Sequence, residues 1–184
     1  MHTVNTLSAG DDFIFFLVFC TPVFAESQHE KSDCGISSTL LTVYKKNDFK
    51  VLSKSCDSEE NPFIENMLQG YNKKIFLNKY SMDGGKSPQK LIAVSIYNKI
   101  NKDPVLITLH SQYWCCYPLS EGTIYSVNLY KIKNSDSSFK IIDITSSLGT
   151  GEQGLDGQND VGENFVFKLK DIASIKKWLD KNYK

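Results

Sequence analysis

Between Leu91 and Ile144 the sequence returns four times to one short pattern, and that recurrence limits the fold more than any other feature of the chain. LIAVSIYN from Leu91, VLITLHSQYW from Val105, TIYSVNLYKI from Thr123 and FKIIDI from Phe139 are apolar, β-branched and aromatic runs of strand length. NKINKDP, YPLSEG and KNSDSS separate them and carry turn residues. Connectors this short suit antiparallel neighbours, because a parallel crossover needs a dozen residues or more. The four runs therefore predict a meander sheet. Within Thr123 to Ile132 the apolar residues Ile124, Val127, Leu129 and Ile132 do not alternate, so the buried face of that run stays open.

Upstream, Thr39 to Lys45 (TLLTVYK) and Phe49 to Ser53 (FKVLS) flank Lys46, Asn47 and Asp48 and predict a hairpin. In EENPFIENMLQGY, Asn61 can cap a helix, Pro62 suits its first position and Gly70 its stop, so the spacing predicts a short helix over 62–69. Ile75 to Tyr80 reads as a strand, and Met82 to Pro88 (MDGGKSP) as a turn. Downstream come a glycine-rich loop from Gly149 to Asn164, a strand FVFKLK, and a final helix from Asp171 with Ile172, Ile175, Trp178 and Leu179 on one face. The reading is an α+β fold: an antiparallel β-meander sheet, a short helix after the first hairpin, and a C-terminal amphipathic helix packed on the sheet. No repeat or linker divides it, so residues 27–184 read as a single domain.

The chain has 184 residues, 41% of them hydrophobic, enough for an ordinary core. Its 21 basic residues are all lysine and balance 21 acids. A nucleic-acid partner is not expected, since such binders carry a basic excess and use arginine forks on bases and phosphates.

Phe13 to Ala25, FIFFLVFCTPVFA, has the length of the apolar core of a secretory signal peptide, with Val23 and Ala25 at the positions a signal peptidase reads. It is too short to span a bilayer, which takes about 20 apolar residues, so no transmembrane anchor is expected. The preceding stretch departs from the pattern: it lacks lysine and holds Asp11 and Asp12. Cleavage after Ala25 removes residues 1–25 and both of those acids, leaves 21 lysines against 19 acids, and places the protein in the periplasm or outside the cell.

That chain keeps four cysteines, Cys34, Cys56, Cys115 and Cys116, an even number that favours disulfides in an oxidising compartment. Neighbouring side chains of a strand point to opposite faces, which favours a two-sided staple: Cys115 and Cys116 each joined to a different upstream cysteine. The competing arrangement closes the first hairpin with a Cys34 to Cys56 bond and leaves Cys115 and Cys116 to each other.

No catalytic, cofactor-binding or metal motif stands out. His110 lies close to Cys115 in sequence, yet reads as a surface or strand histidine, and His29 as part of an N-terminal tail. Glu152, Asp156, Asp160 and Glu163 could surround a calcium ion, but Val161 and Phe167 stand where an EF-hand needs glycine and glutamate, so a solvated loop is expected. Ser120 beside Glu121 reads as a turn. Tyr113, Trp114 and Tyr117 cluster around the cysteines and form a candidate partner surface. In layout alone, a disulfide-bonded α+β domain behind an export signal resembles small periplasmic inhibitors and immunity proteins of bacteria, and the lysine-, asparagine- and isoleucine-rich composition fits a bacterial source. The resemblance implies a non-enzymatic protein that binds a protein partner in the cell envelope. The alternatives are an envelope hydrolase with catalytic acids dispersed in sequence, or an envelope ligand carrier.

Overall fold

Strand pairing dominates the computed structural model, which describes residues 34–57, 61–81, 88–115, 120–135 and 138–184. Four strands, β1 (Cys34–Val43), β2 (Lys46–Cys56), β3 (Phe63–Gly70) and β4 (Lys73–Ser81), form an antiparallel meander in chain order. A second antiparallel sheet contains β5 (Lys90–Tyr97), β6 (Val105–Trp114), β7 (Glu121–Ser135), β9 (Gln153–Gln158) and β10 (Asn164–Phe165), in the order β10-β9-β7-β6-β5. The far half of the long β7 pairs with β8 (Ser138–Asp143). The helix α1 (Ile172–Asn182) ends the chain.

Turn chemistry sets the first sheet. Tyr44 and Lys45 have φ of 50° and 60°, and Tyr71 and Asn72 have 46° and 59°. Two consecutive left-handed residues match the twist of the flanking strands in a tight hairpin. Lys46, Asn47 and Asp48, expected as the first turn, instead begin β2. At the second turn the chain passes close to the core: a Cβ on Gly70 would lie 2.7 Å from the Phe49 ring.

The helix expected over 62–69 is a strand. Ile64, Asn66, Leu68 and Gly70 are buried while Phe63, Glu65, Met67 and Gln69 are half-exposed, the period of two that a sheet imposes. Asn61, Pro62 and Gly70 resemble helix punctuation, but pairing with β2 on one side and β4 on the other decides the segment. The second half of the chain follows the expected runs closely at β5 to β8. Of FVFKLK only Phe165 lies in a strand, as the second residue of β10, and the glycine-rich stretch is not wholly loop, since it contains β9 and Asn164 of β10. Gly122 and Gly157 face each other across β7 and β9, where a Cβ on either would sit within 2.4 Å of a main-chain oxygen. Glycine here serves close approach of two backbones.

The layers explain the burial. Leu41, Val43, Phe49, Val51, Leu68 and Leu77 of the first sheet pack on Leu106, Tyr130, Ile132 and Phe139 of the second. On the opposite face of the second sheet, Val105, Ile107, Leu109, Val127 and Leu129 pack with Leu148, Leu169, and Ile175 and Leu179 of α1. Strands β6 and β7 are thus covered on both sides, which is why the apolar residues of β7 do not alternate. Asp171 caps α1, its Oδ1 accepting from the Ser174 N–H at 2.7 Å.

Cys34 and Cys56 are bonded to each other. They are direct cross-strand partners in β1 and β2, with Cα atoms 4.1 Å apart. This replaces the expected two-sided staple: register already brings the two sulfurs together at the open end of the hairpin. Cys115 is also disulfide-bonded. Residues 1–33, with the export segment and His29, lie outside the described residues, as do Cys116 and Tyr117. Among the described residues no helix is long and apolar enough to cross a membrane.

Candidate functional site

Between the sheets, the apolar core gives way to polar side chains toward the His110 end of β6. Asn66 of β3 donates from Nδ2 to Asn78 Oδ1 at 2.7 Å and lies 2.9 Å from His110 Nε2. Asn78 of β4 donates to Asn128 Oδ1 at 3.1 Å and to the Tyr130 hydroxyl at 2.9 Å. Tyr80 donates its hydroxyl proton to Asn128 Oδ1 at 2.7 Å, and its ring lies 4.6 Å from that of His110. A bulge in β4 between the Asn66 and Met67 pairings gives Leu77 no cross-strand partner in β3, and the Leu77 carbonyl accepts from Tyr130 at 3.2 Å.

The electrostatics of this network are those of neutral groups. His110 is fully buried, and burial lowers its pKa to about 4. The Ser126 main chain, across the ladder, offsets a smaller part of that shift without hydrogen-bond geometry at Nδ1. Tyr80 and Tyr130 are both raised, again chiefly by burial. With Nε2 facing the Asn66 amide, the proton of the neutral ring sits on Nδ1, which has no hydrogen-bond partner. Buried at Asn66, His110 and Tyr130, half-buried at Asn78, Tyr80 and Asn128, and bonded across both sheets, these residues fix how the sheets register. None of them is marked for this role by the sequence, and His110, expected as a surface or strand histidine, is a strand histidine of β6 and is buried.

Surface hollows among the described residues include two with polar side chains in their walls. One, of about 350 Å³, lies at the hairpin tips among Asn47, Asp48, Lys50, Tyr71 and Asn72. The other, of about 120 Å³, lies beside β7, where Tyr80 and Asn128 meet Thr145 and Glu152. Each holds one carboxylate, Asp48 or Glu152, whereas acid-base hydrolysis of a glycosidic bond calls for a facing pair. The expected acidic loop is largely occupied with itself: Asp156 pairs with Lys170 at 2.6 Å, and Asn159 bonds Glu163 through both side chain and main chain. Among the described residues no group of three or more His, Cys, Asp or Glu side chains is placed to hold a metal ion.

The outward face of the first sheet has a different character. Register places Ser38, Leu52, Met67 and Phe76 side by side across β1 to β4. On one flank of this row run Ile36, Lys54, Glu65 and Lys79, and on the other Leu40, Lys50, Gln69 and Lys74. Ile36 and Leu40 are each 73% exposed and Phe76 56%. Phe63, on the same face, lies under two cations, Lys79 Nζ at 4.2 Å and Lys54 Nζ at 5.7 Å from its ring centre. The face is therefore an apolar band edged by four lysines and one glutamate.

Of the expected aromatic surface, Tyr113 is exposed and donates to Glu121 Oε1 at 3.0 Å, and Trp114 is half-buried. As adjacent residues of β6 they project to opposite faces of the second sheet and do not share one surface. A scan against protein-family models, a search of curated proteins and a search of solved structures each found no match to this chain.

Proposed function

We propose that this protein is an exported, non-enzymatic binding protein of the inhibitor or immunity type, and that its protein partner docks on the outward face of the four-stranded sheet. The observation that carries the reading is the Leu52, Met67 and Phe76 row with Ile36 and Leu40 beside it, rimmed by Lys50, Lys54, Lys74 and Lys79. An exposed apolar centre inside a charged rim is the anatomy of a protein interface, and four lysines against one acid select a partner whose own rim is acidic. Export is supported by the Phe13 to Ala25 segment together with the Cys34 to Cys56 disulfide, which persists in an oxidising compartment. Binding rather than catalysis is supported by the buried, neutral state of His110 and by the single carboxylate in both the hairpin-tip hollow and the one beside β7.

The test compares two charge-reversed proteins used as bait in periplasmic extract: one with Lys50, Lys54, Lys74 and Lys79 changed to Glu, the other with Lys176, Lys177 and Lys181 of α1 changed to Glu. Wild type and the helix variant should recover the same protein, and the sheet variant should lose it. Retention by the sheet variant, with loss by the helix variant, would place the interface on the other side of the molecule.

A further inference from the structure

Strand β1 is the edge of its sheet, hydrogen-bonded to β2 alone among the described strands. Its sequence, CGISSTLLTV, contains no charged residue and no proline over ten positions. The other edges are guarded. Strand β4 carries Lys73, Lys74 and Lys79, β5 carries Lys90, β8 carries Lys140 and Asp143, and β10 is two residues long. Charges, prolines and shortness are how sheet proteins keep edges from pairing with other chains. At β1 these protections are missing on the longest edge the fold presents.

The exposure along β1 has the same sense. From Cys34 to Leu40 every residue is exposed, whichever face of the sheet it occupies. Ser37 and Thr39 stand on the inward side, opposite the buried Ser53 and Val51 of β2, yet both are exposed, and a Cβ on Gly35 would meet open space. Only Leu41 and Val43, at the other end, enter the core between the sheets. Half of β1 thus projects beyond the sandwich with one edge and both faces accessible.

We propose that β1 is a homodimer interface, pairing antiparallel with β1 of a second copy about a twofold axis at Ser38. The second copy is favoured over a foreign strand by the pattern of the edge itself. An antiparallel strand centred on one of its own residues is self-complementary, and an uncharged strand meets its twin without the like-charge repulsion that a lysine-bearing edge such as β4 would impose. In this register Ile36 lies opposite Leu40 of the partner subunit, and Leu40 opposite Ile36 of the partner subunit. The two most exposed apolar side chains of the strand then cover each other twice on the outward face, while Ser37 meets the partner's Thr39 on the inward one. Pairing joins two four-stranded sheets into one of eight strands. The Leu52, Met67 and Phe76 rows of the two copies then lie on the same side of that sheet, so a dimer would present that row with its lysines in duplicate, with Ile36 and Leu40 taken up by the contact between copies. The dimer does not depend on that reading, because β1 pairs whether or not the band binds anything.

The experiment uses sedimentation velocity on the oxidised, full-length exported protein over a hundredfold concentration range, for wild type, Ser38→Lys and Lys177→Glu. Wild type and Lys177→Glu should sediment at twice the monomer mass at high concentration, and Ser38→Lys, which sets two lysines face to face on the axis, should remain monomeric with an unchanged circular dichroism spectrum. A second variant reports the contact directly: Ser38→Cys should form a reducible covalent dimer, and Phe76→Cys, on the guarded edge strand, should not. A wild type that stays monomeric throughout, or a dimer that survives Ser38→Lys, overturns the proposal.

Discussion

Lowering the pH should weaken this fold through one side chain, His110. Its pKa in the folded chain is about 4, against about 6.5 for an exposed histidine. A folded value below the unfolded one means that the native state binds fewer protons between the two. The stability His110 contributes as a neutral ring is therefore complete above about pH 6.5 and is lost as the pH falls from there toward about 4. Going from about pH 7.5 to about pH 4.5, the linkage amounts to about 2.5 kcal/mol, or roughly 5–10 °C in melting temperature for a chain of this length. Carboxylates titrate over part of the same range, so the informative quantity is the difference between wild type and His110→Gln, whose amide is polar but does not titrate. Denaturant unfolding at half-unit pH intervals should give two stability curves that converge as the pH falls, wild type losing about 2.5 kcal/mol more than the variant. Parallel curves, or a His110 ring titrating near pH 6.5 by NMR, would refute the burial that underlies this number.

Three further outcomes follow from the packing. Cys34→Ser removes a cross-link with a sequence separation of 22 residues and should cost about 3 kcal/mol in thermal or denaturant unfolding, while non-reducing peptide mapping of the wild type should recover the Cys34 to Cys56 pair. Asn78→Leu strips partners from Asn66, Asn128 and Tyr130 at once and should cost about 3 kcal/mol by the same assay, more than an exposed substitution such as Lys177→Ala, which should stay within about 0.5 kcal/mol. Gly70→Ala drives a methyl into the Phe49 ring and should cost about 1–3 kcal/mol, with recovery when Phe49→Leu is added.

What the sequence disclosed tracks how local each determinant is. Strands β5 to β8 were legible because β-branched runs and short polar connectors are local signals, and α1 because its apolar stripe and the Asp171 cap are. Strand β3 was misread because Asn61, Pro62 and Gly70 mimic helix punctuation and Phe63, Ile64, Met67 and Leu68 fall at helical spacing, while the buried position of Asn66, which completes the alternation, carries a polar residue. The disulfide pairing depends on hairpin register, which the two-residue turn at Tyr44 and Lys45 sets and which a turn placed two residues later would have shifted. The His110 network was not legible at all, since Asn66, Asn78, His110, Asn128 and Tyr130 come from four strands and meet only when the sheets stack. The lysine-edged band likewise exists only across four strands: Leu52, Met67 and Phe76 are ordinary apolar residues until register aligns them.

The claim that the outward sheet face is the partner surface is tested most directly by photo-crosslinking in the native compartment. Benzoylphenylalanine replaces Met67 or Phe76 in the band, or Lys177 on α1 as the control, and cells expressing each protein are irradiated. One protein adduct of the same mass is expected from both band positions and none from Lys177. An adduct from Lys177 with none from Met67 or Phe76 would contradict it.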